Sequence, residues 1–177
     1  MIIWLIGLSG SGKTTIGRAL YKHFKPRHPN LVFVDGDEFR KTMGSDLSFT
    51  YEDRLKNAER FSPFCRFLDR QGIHMICAVL SIFPGWQKWN RENFSQYFEI
   101  FVDASLETVI ERDPKGLYRQ ALAGEKKNVV GVDIAFVPPK NADLVISNND
   151  DEGNLDQIVK KILRHLPAFE AQEIEQR

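Results

Sequence analysis

Unbroken apolar runs separated by polar turns set the pattern of this chain. Residues 2–6, 31–34, 73–80, 97–102 and 142–147 each read as a strand. Their near-continuous apolar character fits parallel strands buried on both faces. Between them the period lengthens to that of helices. Residues 13–24 form the first helix, which ends before Pro26. Thr50, with Asp53 three residues on, makes a capping-box start for a helix with Phe61, Phe64, Cys65, Phe67 and Leu68 on its core side. Pro63 kinks that helix or splits it, and Gly72 ends it. A further helix begins near Ser105, and Leu155, Ile158, Val159, Ile162 and Leu163 give an amphipathic one. The connection 25–30 reads as surface, with His28 solvated, and His165 reads as peripheral. Strands alternating with helices predict an α/β fold over residues 1–167, followed by a polar tail at 168–177.

The first strand runs into Gly7-Leu8-Ser9-Gly10-Ser11-Gly12-Lys13-Thr14, and a helix leads out. This is G-x-x-x-x-G-K-[ST] in the strand–loop–helix setting of a phosphate-binding P-loop. Glycines permit a tight loop whose N–H groups point at phosphate oxygens, and the helix adds the positive end of its dipole. In such a loop Lys13 reaches the β- and γ-phosphates and the Thr14 hydroxyl ligates magnesium.

The second strand runs into Asp35-Gly36-Asp37. Carboxylates at the carboxyl end of a parallel strand sit where open α/β sheets bind ligands. There Asp37 takes a proton from an attacking hydroxyl and Asp35 orders magnesium-bound water; the plainer reading is a turn with an acidic helix cap. Arg54, Asn57 and Arg60 recur every three residues, so they form either an oxyanion-holding face or a solvated polar one. Trp86, Lys88, Trp89 and Arg91 follow the third strand, either to stack on and clamp a ligand or to cover the core. Residues 111–119, basic and broken by Pro114 and Gly116, suit a lid that brings cations over transferring phosphates.

Composition narrows the class. Formal net charge is zero, from 24 basic and 24 acidic side chains, which gives no support for wrapping nucleic acid. The N-terminal apolar run is too short to span a membrane. Cys65 and Cys77 are too few and too isolated for a disulfide framework or a zinc site, so a reducing, cytoplasmic setting is expected.

Taken together, residues 7–15, Asp35-Gly36-Asp37 with Arg40, Phe49 with Asp53-Arg54 and Asn57, and Arg112-Asp113-Pro114-Lys115-Gly116-Leu117-Tyr118 resemble the adenylylsulfate (APS) kinases. The resemblance spans roughly residues 1–150. It implies a P-loop NTPase fold, with a five-stranded parallel sheet and helices on both faces. It implies transfer of the ATP γ-phosphate to the 3′-hydroxyl of adenosine 5′-phosphosulfate, with magnesium, in sulfate assimilation, by a homodimer. Lys13, Asp35 and Asp37 would be catalytic, with Asp37 the base. Gly7, Ser9, Gly10, Ser11, Gly12, Lys13, Thr14, Thr15 and Arg112 would hold ATP, and Thr14 and Asp35 the metal. Asp37, Arg40, Phe49, Arg54, Asn57, Ser81, Lys115, Gly116 and Leu117 would hold the acceptor, with Phe49 stacked on its base.

Two stretches depart from the family. Ser81 is followed by Ile82-Phe83-Pro84-Gly85-Trp86 in place of Ser-Pro-aromatic and arginines. Asn128-Val129-Val130-Gly131 replaces a lid run whose Phe closes the base stack. Such changes resemble APS-kinase-like enzymes of surface-polysaccharide pathways, which phosphorylate other nucleotide-linked anions such as cytidine diphosphoramidate. A reading of another class is a nucleotide-binding regulatory module without catalysis.

Overall fold

A computed structural model describes residues 1–149, 155–166 and 169. Elements alternate along the chain: β1 (Ile2–Ile6), α1 (Lys13–Phe24), β2 (Leu31–Asp35), α2 (Gly36–Met43), α3 (Tyr51–Asp69), β3 (His74–Val79), α4 (Pro84–Asn93), β4 (Tyr97–Asp103), α5 (Leu106–Arg112), α6 (Leu117–Leu122), β5 (Leu144–Ser147) and α7 (Leu155–Leu163). Every strand pair is parallel, in the order β2-β3-β1-β4-β5. The strand order reverses beside β1, the topological position at which open sheets of this kind hold ligands beyond the strands' carboxyl ends.

Alternation along β1 divides the core. Ile3 and Leu5 face Ile16, Leu20 and Phe24 of α1 and Ile162 of α7. Ile2, Trp4 and Ile6 face Phe39 of α2 and Phe61 and Cys65 of α3. A third cluster closes the carboxyl end of the sheet, where Leu8, Ile82, Phe83, Val109, Tyr118, Val129 and Val130 pack together. This apolar cap lets the loops above β1, β2 and β3 build a cleft.

Several local expectations need correction. Pro63 neither splits α3 nor ends it; the helix continues to Asp69 with Pro63 on its exposed side. Phe67 is 61% exposed and contributes nothing to the core stripe. His28 is 3% exposed rather than solvated, because its ring stacks on Phe169 at 3.9 Å and its Nε2 lies 2.8 Å from the Phe169 carbonyl oxygen. Phe169 falls in the stretch expected to be a peripheral tail; the rest of 168–177 lies outside the described residues, as do 150–152 of the turn expected after β5. The two cysteines are neighbours across β3 and α3, both buried free thiols, and burial with Cys65 beside it pushes the Cys77 thiol up. At Asp35-Gly36-Asp37 the acidic helix cap is present, with Asp35 accepting from Asp37 N at 2.9 Å, but Gly36 and Asp37 form the first turn of α2 rather than a separate turn. Among the described residues, no helix is long and apolar enough to cross a membrane.

Candidate active site

The P-loop is held from behind. A Cβ on Gly7 would meet the Val102 carbonyl oxygen at 2.5 Å, so β4 crowds out any side chain there. Gly12 has φ 97° and a Cβ on it would meet Asn148 Nδ2 at 2.5 Å. Asn148, just past β5, donates from that nitrogen to the Ser11 carbonyl at 2.8 Å. Arg112 Nη1 in turn donates to the Asn148 carbonyl at 2.8 Å. On the other side the Tyr118 hydroxyl donates to the Ser9 carbonyl at 3.0 Å. No side chain caps α1 at Gly12, which leaves its first N–H groups facing the loop's interior as an anion site. Lys13 Nζ donates to the Leu8 carbonyl at 2.6 Å. Burial lowers its pKa to about 8, against the carboxylates of Asp37 and Asp35, which raise it.

Asp35 serves two neighbours at once. One carboxylate oxygen caps α2, and the other accepts from Thr14 Oγ1 at 2.8 Å. A hydroxyl and a carboxylate side by side at the mouth of a phosphate loop are hard oxygen donors, of the kind that bind magnesium together with water and phosphate oxygens. Two residues on, Asp37 pairs with Lys115 across the cleft. Burial works to raise the Asp37 carboxyl, but the Lys115 hydrogen bond and charge, with Lys13 and Lys41, hold it below its ordinary value.

The opposite half is built from α2, α3 and the turn between them. Phe49 is 48% exposed and lies between two guanidinium groups, Arg40 at 5.2 Å and Arg54 at 5.5 Å from its ring centre. Arg40 Nη1 donates to the Ser48 carbonyl at 2.8 Å, and Arg54 donates to Phe49 O and Asn128 O, both at 2.9 Å. Burial and the charge of Arg40 lower the Arg54 pKa to about 10. Ser81, two residues beyond β3, has φ 49°, a conformation uncommon outside glycine that recurs at functional sites.

These parts enclose a cleft of about 980 Å³. Of the residues expected in the site, Ser9, Gly10, Gly12, Lys13, Thr14, Thr15, Asp35, Asp37, Arg40, Phe49, Arg54, Asn57, Ser81, Lys115 and Leu117 line it together. Gly7, Ser11, Arg112 and Gly116 are not among its lining residues and shape it from behind. Arg60 leaves the Arg54–Asn57 face, making a bidentate pair with Asp46 at 2.6 and 2.8 Å. Of the aromatic–cation stretch, Trp86 lines the cleft, whereas Trp89 packs on Arg66 and Arg91 pairs with Asp143 at 3.0 Å. The lid stretch is partly fixed: Leu117 starts α6, and Tyr118 and Ala121 are buried. Asn148 and Asn90 escaped the sequence reading. The first lies in a polar turn, and the second is an unremarked polar position on an apolar helix face.

The chain matches the family described as Adenylylsulphate kinase over residues 1–147. It is 44% identical over 165 residues to the cytidine diphosphoramidate kinase of Campylobacter jejuni, covering 93% of this chain and 95% of that relative. It is 37% identical over 163 residues to a probable adenylyl-sulfate kinase of Pseudomonas aeruginosa, covering 92% of this chain and 75% of the relative. The APS kinase of Mycobacterium tuberculosis, solved in complex with AMPPNP and APS, superposes with a TM-score of 0.83 at 29% identity, covering 94% of this chain and 96% of that one. A P-loop on a five-stranded parallel sheet, with a family match across that whole frame, makes this chain a kinase, a phosphotransferase belonging to the adenylylsulphate kinase family.

Proposed function

We propose that this kinase moves the γ-phosphate of ATP to a ribose hydroxyl of a nucleotide-linked anion, and that a cytidine diphosphate-linked anion such as cytidine diphosphoramidate is the preferred acceptor. The constellation of Lys13, Thr14, Asp35 and Asp37 on one cleft wall, with Lys115 facing it, carries the phosphoryl-transfer reading. ATP lies with its phosphates on residues 7–15. Thr14 and Asp35 would hold magnesium, which would neutralise charge on the phosphates. Asp37 accepts the proton of the attacking hydroxyl, whose oxygen bonds to the γ-phosphorus as the bond to the β-phosphate oxygen breaks and ADP leaves. Lys115, paired with Asp37 and lining the same cleft as the P-loop, stabilises charge on the phosphates. Positioning and charge neutralisation supply the catalysis, with no covalent enzyme intermediate.

The acceptor half favours cytidine over adenine. Val129 lines the cleft at the lid position where the family's second stacking ring is expected, and loss of one aromatic face costs about 1–3 kcal/mol per base. The 44% identity over nearly the whole of a cytidine diphosphoramidate kinase points the same way. APS is the second reading, supported by the Arg40–Phe49–Arg54 cluster and by the APS-bound relative. A homodimer belongs to the same proposal and is checked by sedimentation.

Purified protein, ATP and Mg²⁺ with cytidine diphosphoramidate, run beside APS, test the assignment. Faster turnover of the cytidine compound is expected; efficient turnover of APS alone would return the chain to sulfate activation. Binding of ATP with turnover of neither would favour a regulatory module. Lys13→Ala is expected to abolish turnover while the protein stays folded.

A further inference from the structure

Polar atoms at the back of the cleft are left unused by the fold. Asn90 of α4 is completely buried, at 0% exposure, and neither its amide nitrogen nor its amide oxygen has a hydrogen-bond partner. Trp4 Nε1 and Asn57 Oδ1 are buried without partners too, and all three residues line the cleft. Asn90 lies beside the Tyr97 hydroxyl and favours its ionised form, but that hydroxyl donates to Glu99 at 2.6 Å, and the amide makes no bond of proper geometry. Buried polar groups are otherwise nearly all paired, so a side chain whose amide atoms make no well-formed bond and have only the Tyr97 hydroxyl, already committed to Glu99, beside them, in a wall of a ligand cleft, marks a place for a ligand's polar edge. Trp86 precedes Asn90 by four residues. The two therefore share one face of α4, and Trp86 lines the same cleft.

Resting on the kinase reading above, we propose that Trp86 and Asn90 recognise the acceptor's nucleobase, and that this base is a pyrimidine. Trp86 supplies an apolar aromatic surface for the ring, on a chain that carries Val129 at the lid. The Asn90 amide offers a donor and an acceptor side by side, matching the adjacent donor and acceptor on a base edge. The Trp4 N–H needs an acceptor, and the ring carbonyl O2 of a pyrimidine provides one, where adenine would have to present a ring nitrogen.

Asn90→Leu and Trp86→Leu are compared with the wild type in steady-state kinetics, with ATP and either cytidine diphosphoramidate or APS, together with thermal unfolding. For the cytidine acceptor, kcat/KM is expected to fall about ten- to hundredfold in each variant, with KM for ATP unchanged. Leucine has nearly the shape of asparagine and removes two unpaired buried polar atoms, so the Tm of Asn90→Leu should hold or rise as activity falls. An asparagine serving only the fold would instead lower both. Unchanged acceptor kcat/KM in both variants, or an activity loss tracked by a fall in Tm, overturns this inference and leaves the kinase reading standing. Wild-type preference for APS overturns the pyrimidine assignment. A wild type that phosphorylates no nucleotide acceptor overturns the kinase reading and this inference with it.

Discussion

Asp37 is pulled in two directions, and its kinetics should reveal both. Burial favours the neutral acid, while Lys115, Lys13 and Lys41 favour the carboxylate and prevail. The group is therefore ionised below the ordinary carboxylate value of about 4, and the acid limb of kcat/KM for the acceptor should lie below that pH. Lys115→Met removes the main opponent of burial. The acid limb should then move upward, and kcat should fall because a cation over the phosphates is lost; a limb that does not move would deny Asp37 its role. Lys13 gives the alkaline counterpart. With its pKa lowered to about 8, the free protein loses this charge as pH rises through 8, while bound phosphates favour the charged form. ATP affinity should fall above pH 8, and binding at pH 8.5 should take up protons, which calorimetry in buffers of different ionisation enthalpy measures. The position of Lys13 was legible in sequence because loop chemistry fixes its spacing from the glycines. Asn148 was not, since its bond to the Ser11 carbonyl spans 137 residues and only the β4–β5 pairing brings it there.

The elements were read correctly where period and caps agreed. Thr50 accepts from Asp53 N at 3.2 Å, and the helix begins at the next residue, as the capping box predicts. Apolar runs placed the strands to within a residue or two; β1, β3 and β4 are buried along most of their length, whereas edge strand β5 is buried on one face only, with Val145 49% exposed. The errors came where tertiary packing overrode a local rule. Gly36 and Asp37 look like a turn, yet the Asp35 cap and the buried Phe39 draw them into α2. Pro63 looks like a break, yet α3 runs through it because Phe61 and Cys65 anchor the flanking turns in the core. The cost is still present, since Pro63 offers no N–H to the carbonyl of Glu59. Pro63→Ala on this exposed position should stabilise the protein by about 1–3 kcal/mol, seen as a higher Tm with unchanged kinetics. A lower Tm would mean that the proline's restriction of the unfolded chain outweighs the missing bond.

At the scale of the molecule, an α/β sheet with ligand-binding loops at its strands' carboxyl ends followed from the alternation of strands and helices, but the strand order and the seam that closes the far end of the sheet did not. His28, His74 and Phe169 meet there, with His28 edge-on to His74 at 5.5 Å and Phe169 edge-on to it at 5.2 Å. Nothing local in the sequence links a connection after α1, the first residue of β3 and a residue beyond α7. Burial is the main cause that lowers the His74 pKa to about 4; the N-terminal ammonium, 2.9 Å from its Nδ1, and His28 add to it, and Asp69 opposes them. An unfolded histidine binds its proton near 6.5, so between about 6.5 and 4 the unfolded chain holds a proton that the folded chain does not. Stability contributed by neutral His74 is therefore fully present above 6.5 and is lost as pH falls toward 4. His74→Gln cannot take up that proton. Its Tm should lie below that of the wild type at neutral pH, where the ring's packing is missed, and the gap should narrow steadily as pH falls from 6.5 to 4. Carboxylates titrate in both proteins alike and cancel in the difference. Parallel Tm curves across that window would show that the seam binds protons equally well folded and unfolded, and that this end of the fold is held by apolar packing alone.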